Sequence, residues 1–389
     1  MKRMICILGI LMLLIPSAIA AETIDLSTDG CDQLMYDPLV LPDGRVVIAG
    51  QAGVKGNYQD SRARLLCLNP DGSIAWDYRH PASGNCSYTY VQLLDNGLLG
   101  VIFRNSPNQE TKQVEIHKFT TDGKMAGEPI DIFTPHISSC ETTEACIEYA
   151  VIDPYAQTFY RYYIDWDGNF LFSIHSDDYT SGGSDLLGAE DGVILYGSDN
   201  GYPAPAKIIK LDFYGNLVWE TVLPTYLPEA SAQLMNGCRT SDGGYVFWLM
   251  ETAGDLRGEV TRHKALVKFD GNGNLLWINR EEPNTETTDF MNSRCNHILE
   301  FGDYLVLDMG TRNYDIGQPY HFLWFTKDGK YVGRNEVKTV NRTCVGSEFI
   351  QLGDHLYTMI QTRDEKKNIR DEMDTCDVIL FPIPMPENQ

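Results

Sequence analysis

The chain has 389 residues, 43% of them hydrophobic, and a formal net charge of −23 at pH 7. Electrostatic binding to phosphate or to an anionic membrane needs clustered Lys and Arg side chains, so this acidic balance argues against nucleic acid and anionic membranes as partners. Length alone suggests two or three domains, but internal repeats would unite the chain into one.

The first twenty residues have the three parts of a secretory signal peptide. Two basic residues precede an apolar run over 4–15, and Ala-Ile-Ala at 18–20 has the small-x-small pattern of a cleavage site. This run is too short for a membrane span, and no later segment reaches the roughly 20 apolar residues that a membrane helix needs. We predict a signal peptide over 1–20 and one domain over 21–389, which is secreted, periplasmic or at the cell surface after cleavage.

A short pattern then recurs six times: an apolar residue, a turn ending in glycine, and a second apolar run. An apolar residue stands four positions before and two positions after each glycine, and the position four residues after it is Trp, Phe or Gly. Apolar alternation around a glycine turn is typical of a β-hairpin, because glycine adopts the positive φ that a tight turn needs. We interpret the glycine and Trp positions as blade-docking residues. The six glycines are Gly72, Gly123, Gly168, Gly215, Gly273 and Gly329.

A second turn signal precedes each of these hairpins, although one unit has Asp153-Pro154 where most others have glycine. Two hairpins in about 50 residues indicate four strands, and four-stranded units at this period are typical of β-propeller blades. We therefore predict an all-β, seven-bladed β-propeller with four-stranded blades. The predicted blades span about 29–80, 84–134, 138–178, 182–226, 230–283, 288–338 and 342–383.

The last predicted blade lacks its outer strand, because the chain stops soon after residue 383. Residues 22–27 have the pattern of a strand without a blade of its own. If this N-terminal strand pairs beside residues 376–383, it completes the seventh blade and removes an open sheet edge.

Nine cysteines follow the predicted signal peptide, so at least one thiol is unpaired or bonded to another molecule. None of them forms a C-x-x-C motif or a Cys/His pair at zinc-ligand spacing, and we predict no metal site. In the ring the end of the N-terminal strand faces the start of the last strand, which brings Cys31 toward Cys376. We hypothesise a disulfide between these two residues; buried free cysteines are the alternative.

The units "DGGYVFWLMETAGDLRGEVTRHKALVKFDGNGNLLWINREEP" and "ARLLCLNPDGSIAWDYRHP" resemble the repeats of exported bacterial β-propellers of the PQQ-like and WD40-like kind. The resemblance covers nearly the whole chain after the signal peptide. It implies the fold and leaves the function open, since such propellers serve as scaffolds, binding modules and enzymes. Quinone-dependent members use adjacent cysteines and tend to have eight blades, which this chain lacks, so we predict no cofactor.

If the ring binds a ligand, the site is expected where loops converge at one mouth of the central channel. Tyrosines beside carboxylates suit saccharide or peptide recognition, although tyrosines in strands more often serve packing. We predict a ligand- or protein-binding module without catalysis of its own; the alternatives are a carbohydrate- or peptide-acting enzyme and a structural platform in an envelope assembly. The candidate ligand-binding residues are Tyr36, Asp37, Tyr88, Tyr90, Glu148, Tyr149, His297 and Glu348.

Overall fold

A computed structural model of the chain shows strands and turns and no helix among the residues that it describes. Consequently, no helix in this part of the chain is long and apolar enough to cross a membrane. The described residues are 22–26, 33–54, 57–81, 86–105, 112–132, 137–143, 145–152, 159–175, 185–198, 203–226, 229–253, 261–280, 295–309, 320–338, 342–364 and 376–385.

The strands form seven sheets of four strands, and each sheet is one blade. Blade 1 holds β2 (Gln33–Val40), β3 (Val46–Val54), β4 (Asn57–Leu68) and β5 (Ile74–Arg79). Blade 2 holds β6 (Cys86–Leu94), β7 (Gly97–Asn105), β8 (Lys112–Phe119) and β9 (Ile130–Ile132). Blade 3 holds β10 (Ile137–Thr142), β11 (Ile147–Ile152), β12 (Phe159–Ile164) and β13 (Phe170–His175). Blade 4 holds β14 (Asp185–Ala189), β15 (Gly192–Ser198), β16 (Ala206–Asp212) and β17 (Leu217–Val222).

The remaining blades repeat this arrangement. Blade 5 holds β18 (Ser231–Arg239), β19 (Tyr245–Ala253), β20 (Thr261–Phe269) and β21 (Leu275–Asn279). Blade 6 holds β22 (His297–Phe301), β23 (Tyr304–Met309), β24 (Tyr320–Thr326) and β25 (Tyr331–Val337). Blade 7 holds β26 (Arg342–Leu352), β27 (His355–Asp364), β28 (Cys376–Pro382) and β1 (Ile24–Asp25).

Blades 1 to 6 are antiparallel meanders, in which the four strands follow one another in chain order. First strands of neighbouring blades contact each other, for example β2 with β6, β18 with β22, β22 with β26 and β26 with β2. The first strands therefore surround the central axis, and the fourth strands form the outer rim. The architecture is a seven-bladed β-propeller, as the sequence predicts.

Blade 7 takes its fourth strand from the other end of the chain. β1 pairs antiparallel with β28, and Ile24 lies opposite Leu380. The backbone N–H of Leu26 extends this pairing by donating to the carbonyl oxygen of Val378 over 2.8 Å, and Leu26 is buried. The predicted closure of the last blade by the N-terminal strand is confirmed.

The glycine turns between third and fourth strands share one geometry. In blade 1, the N–H of Gly72 donates to the carbonyl of Asn69 over 2.9 Å, and the N–H of Asn69 donates to the carbonyl of Ser73 over 2.8 Å. Gly72 has a φ of +81°. This geometry is a type I turn followed by a glycine in the left-handed region, and it shifts the register of the hairpin by one residue between Cys67 and Leu68.

Among the described residues, the hydrophobic core is divided into seven clusters, one at each junction between neighbouring blades. Between blades 4 and 5, for example, Phe247 and Phe269 pack with Ile194 and Ile208. Successive side chains of a strand point to opposite faces of its sheet, so each blade contributes to two clusters. Burying one such side chain contributes about 2 kcal/mol, and contacts between blades therefore hold the ring together.

The aromatic residue of one blade packs on the glycine turn of the next. A Cβ atom built on Gly273 of blade 5 would lie 2.5 Å from Cε3 of Trp219 in blade 4. A Cβ atom built on Gly329 of blade 6 would lie 2.8 Å from Cε3 of Trp277 in blade 5. Real Cβ atoms essentially never come this close to another atom, so a side chain at either position would force the indole to move. The predicted docking role of the glycine and Trp positions is confirmed.

The first hairpin of blade 3 turns earlier than the sequence suggests. The turn lies between Thr143 and Cys146, whereas Asp153 and Pro154 lie outside the described residues. The hydroxyl of Thr143 accepts hydrogen bonds from the backbone N–H groups of Ala145 and Cys146 at 3.1 and 3.2 Å. A threonine hydroxyl can organise a turn in this way without glycine, so the turn carries no glycine signal in the sequence.

Candidate functional site

The structure places the eight candidate residues on five strands. Tyr36 and Asp37 belong to β2, but their side chains lie outside the part of the chain that is described. The other six divide between two environments: a partly exposed pair near the axis, and positions packed between blades or within blade 3. Those six are Tyr88 and Tyr90 on β6, Glu148 and Tyr149 on β11, His297 on β22 and Glu348 on β26.

His297 and Glu348 come together across two neighbouring first strands. Nε2 of His297 lies 3.3 Å from Oε1 of Glu348, and their side chains are 37% and 20% exposed. β22 and β26 contact each other at the inner edges of blades 6 and 7. This pair therefore presents an imidazole and a carboxylate next to the axis, within reach of solvent.

Tyr88 faces the junction of blades 1 and 2 and not the channel. Its side chain is completely buried, and its hydroxyl forms a 2.8 Å hydrogen bond with Nδ1 of His117. Burial raises the pKa of the Tyr88 hydroxyl well above its ordinary value, so the hydroxyl stays protonated. The pairing register of β6 shifts between Tyr88 and Tyr90, which turns the two rings toward different junctions.

Tyr90 packs at the next junction, between blades 2 and 3. Its ring stacks on Trp166 with 6.0 Å between centroids and an interplanar angle of 4°. Its hydroxyl donates to Oε1 of Gln92 over 3.0 Å. This contact matches the packing role that is ordinary for a tyrosine in a strand.

Glu148 and Tyr149 lie on the second strand of blade 3, because the first hairpin turns at Thr143 and Cys146. The carboxylate of Glu148 is 3% exposed and lies 3.4 Å from Nη1 of Arg161. Burial raises the pKa of Glu148, and the neighbouring guanidinium opposes that shift. Tyr149 stacks on Tyr162 with 5.3 Å between ring centroids. These contacts hold the blade together and do not line the channel.

A polar cluster that the sequence analysis missed lies beside Tyr88. His80, Glu115 and His117 each offer one ligand atom, and these atoms lie within 4.8 Å of one another. Nε2 of His117 is 3.1 Å from Oε2 of Glu115. The only local signal is Glu-x-His within one strand, and the second histidine comes from another blade, so no motif spacing could have revealed the cluster.

A second missed cluster joins blade 5 to the segment that precedes it. Glu251 is 1% exposed, accepts a hydrogen bond from the N–H of Tyr226 at 2.9 Å and lies 3.4 Å from Nη2 of Arg280. The Arg280 guanidinium also lies 5.2 Å from the centroid of the Tyr226 ring. These contacts fix the segment that leads into blade 5. A nearby cavity of about 460 Å³ is lined by prolines and by Glu229.

Five cysteines in the described part of the chain form no disulfide, and four of them are buried. Burial raises the pKa of Cys67 to about 11 and those of Cys146 and Cys238 to about 12. Cys31 and the side chain of Cys376 lie outside the described residues, so the proposed disulfide stays a prediction. The five cysteines outside disulfides are Cys67, Cys86, Cys146, Cys238 and Cys295.

No known family model matches the chain, and no curated protein sequence does either. Solved structures match its fold. The beta-propeller domain of the Trilobed protease from Pyrococcus furiosus is 9% identical, with a TM-score of 0.52 over 92% of this chain and 99% of that one. Polysaccharide lyase Uly1 is 8% identical, with a TM-score of 0.51 over 93% of this chain and 99% of that one.

The acylaminoacyl peptidase from Pyrococcus horikoshii is 10% identical, with a TM-score of 0.50 over 91% of this chain. The match covers 52% of the peptidase, so this chain spans about half of that protein. At such low identity the likeness concerns the fold alone. The chain is therefore similar in architecture to β-propellers that belong to peptidases and to a polysaccharide lyase.

Proposed function

We propose that this chain is an exported ligand- or protein-binding module without catalysis of its own, and that it binds at the end of the ring where the first strands begin. The His297–Glu348 pair carries this proposal, because it joins a hydrogen-bond donor and an acceptor at the inner edges of two blades. Both side chains keep part of their surface in contact with water, so a ligand can reach them.

The connections between strands also favour this end of the ring. At the opposite end, short turns such as 302–303 and 353–354 join first and second strands. At the end where the first strands begin, the sequence between strands extends over 280–296, 310–319 and 365–375. Longer connections supply most of the variable contacts in binding proteins.

The chemistry of the pair favours a peptide or a saccharide as the ligand. An imidazole and a carboxylate can donate to and accept from the amide groups of a peptide or the hydroxyl groups of a sugar. A net charge of −23 repels polyanions, so we propose no nucleic acid partner.

The positions of the two candidate carboxylates whose side chains are described, Glu148 and Glu348, favour binding over hydrolysis. A glycosidase needs two carboxyl groups held about 5 to 10 Å apart on either side of the bond that is cleaved. Glu148 lies within blade 3 beside Arg161, and Glu348 faces His297. Neither residue faces another carboxylate of the candidate set in the described part of the chain.

A structural platform is a second candidate, because apolar side chains are exposed on the outer strands of blades 4 and 5 and in the turn that leads into the outer strand of blade 4. Tyr214 is 83% exposed, and Leu217 and Leu276 are 50% and 53% exposed. Such side chains on a rim suit permanent contact with another protein.

A thermal-shift screen of the purified chain against peptides and oligosaccharides tests the proposal, because a ligand that binds the folded state raises Tm by mass action. For a hit, we expect His297→Ala and Glu348→Gln each to weaken binding about 10-fold or more, since each removes or weakens a hydrogen bond between the pair and the ligand. His355→Ala, at the exposed first residue of β27 at the other end of blade 7, is the control and should bind normally. A hit that binds equally to all variants, or a flat screen, would argue against this site.

Export is tested separately. The basic residues, the apolar run and the small-x-small pattern over 1–20 support it. Expression with the native N-terminus in a secreting host should release a protein whose sequence begins near Ala21. An intracellular product that retains Met1 would overturn export without affecting the binding proposal.

A further inference from the structure

Three side chains from two blades converge at the junction of blades 1 and 2. Glu115 and His117 are two residues apart on β8, so they point to the same face of blade 2. His80 follows β5 directly and belongs to blade 1. One ligand atom from each residue lies within 4.8 Å of the other two.

All three side chains are removed from water. His117 is 0% exposed, Glu115 is 6% exposed and His80 is 8% exposed. Burying ionisable groups is costly unless they are paired or coordinate a metal. Nitrogen and carboxylate ligands lie about 2.0 to 2.2 Å from Zn²⁺. Two ligands of one ion are therefore at most about 4.4 Å apart, and small side-chain movements would close the cluster around an ion.

The hydrogen bonds of His117 place its Nε2 where it could bind a cation. Nδ1 lies 2.8 Å from the hydroxyl of Tyr88, while Nε2 lies 3.1 Å from Oε2 of Glu115. When Nδ1–H donates to the Tyr88 oxygen, the lone pair of Nε2 faces a carboxylate, and a cation between them is stabilising. A ligating histidine whose other nitrogen is held by a hydrogen bond is the usual arrangement at metal sites.

We propose that His80, Glu115 and His117 bind one divalent transition-metal ion of the zinc type. Two imidazoles and one carboxylate are a common ligand set for such ions, and they leave at least one position for water. Tyr88 is a positioning residue, since it touches His117 and not the ion. Because the ligands come from two blades, the bound ion cross-links blade 1 to blade 2.

The test uses the full purified chain after treatment with a chelator. Zn²⁺ is titrated in competition with a chromophoric chelator, and Co²⁺ is added to a second sample, because its visible spectrum reports the ligand geometry. We expect one Zn²⁺ per chain, a four- or five-coordinate Co²⁺ spectrum and a Tm that rises with free Zn²⁺.

Two variants and one control separate this site from adventitious binding. His80→Asn removes one ligand but leaves the Glu115–His117 contact in place, and it should abolish stoichiometric binding and the Tm rise. Tyr88→Phe keeps all three ligands and should weaken binding about 10- to 100-fold by removing the outer hydrogen bond. His355→Asn replaces an exposed histidine and should change nothing.

Several outcomes would overturn the proposal. They are the absence of stoichiometric Zn²⁺ in the unaltered chain, equal affinity in His80→Asn, and a Co²⁺ spectrum identical to that of the hydrated ion. If His80→Asn fails to fold, Tyr88→Phe provides the test instead. An unchanged Zn²⁺ affinity in a folded Tyr88→Phe protein would contradict the predicted role of His117. Loss of binding in His355→Asn alone would identify surface binding only.

Discussion

Trp219 of blade 4 lies against Gly273 of blade 5, so closely that a Cβ on the glycine would lie 2.5 Å from the indole. The same relationship joins Trp76 to Gly123, where the indole N–H also donates to the carbonyl of Thr121 over 3.1 Å. The repeated aromatic and the repeated glycine therefore belong to a single contact between blades.

Gly273→Ala and Gly243→Ala form a matched pair that measures this contact. Both glycines lie in turns of blade 5 and have φ near +80°, but a Cβ on Gly243 would meet nothing within 4 Å. Gly243→Ala should cost about 1 to 2 kcal/mol from the left-handed backbone alone. Gly273→Ala should cost a further 1 to 3 kcal/mol or so from overpacking against Trp219. Urea denaturation measures both; equal costs would contradict the docking role.

Leu26 should anchor the strand that closes the ring. It is 2% exposed and belongs to the cluster between blades 7 and 1. Leu26→Ala should destabilise the fold by about 2 to 4 kcal/mol through lost burial and a cavity. Thr23→Ala, at an exposed neighbouring position, is the control and should cost little. If thermal denaturation shows no difference between the two variants, the closing strand does not stabilise the ring.

Asp242 should make stability depend on pH at the acidic end. Its hydrogen bond with the Lys268 ammonium, at 2.5 Å, is the largest of the causes that lower the pKa of this carboxyl from 3.8 to about 2. A lowered pKa in the folded state stabilises the protein above the unfolded pKa, and this contribution is lost as pH falls from about 4 to 2. Because the Asp242 side chain is 56% exposed, screening reduces the effect to about 0.5 kcal/mol.

Comparing Asp242→Asn with the unaltered chain tests whether the stabilising contribution of Asp242 decreases as the pH falls. The difference in urea midpoint should be present at pH 6 and should shrink as the pH is lowered toward the folded pKa of about 2. Asp354→Asn, in an exposed turn of blade 7, serves as the control. A difference that grows on acidification would contradict the assignment.

Three cysteines of the native protein should react slowly with thiol reagents. Burial raises the pKa of Cys67, Cys146 and Cys238, and a buried thiol reacts slowly with alkylating reagents. These cysteines should be labelled only after unfolding, as mass spectrometry of the digested protein would show. Rapid labelling of the native protein at these positions would contradict their burial.

The disulfide between Cys31 and Cys376 is tested by the same digest without reduction. The pairing of β1 with β28 leads the chain after Leu26 toward the start of β28, where Cys376 lies. In the chain-entropy model, closing so long a loop contributes about 4 to 5 kcal/mol. We expect a peptide pair joined through these two residues; two free thiols would remove the hypothesis.

The fold could be predicted because the contact between a turn glycine and an aromatic side chain recurs from blade to blade and leaves a repeated pattern in the sequence. Gly72, with a φ of +81°, marks a turn that other residues adopt only with strain, and the aromatic residues that follow such turns mark the docking surface. The position of the first hairpin in blade 3 could not be predicted in this way, because the hydroxyl of Thr143 organises its turn.

The candidate site was harder to predict than the fold. Tyr88 and Tyr90 lie on a first strand, but side chains of a blade point to its two neighbours, so both rings pack between blades. His297 and Glu348 do lie together, since they occupy the inner edges of adjacent blades. Glu115 and His117 form a cluster only together with His80 from another blade, and spacing along the chain does not encode that arrangement.

Hydrogen–deuterium exchange of the protein, with and without a peptide or saccharide identified in the screen, tests the proposed function most directly. We predict slower exchange at the start of β22, around His297, and in the middle of β26, around Glu348. Exchange should be unchanged in the turns at the opposite end, around 302–303 and 353–354. Protection confined to those turns or to the outer strands would contradict the proposed binding site.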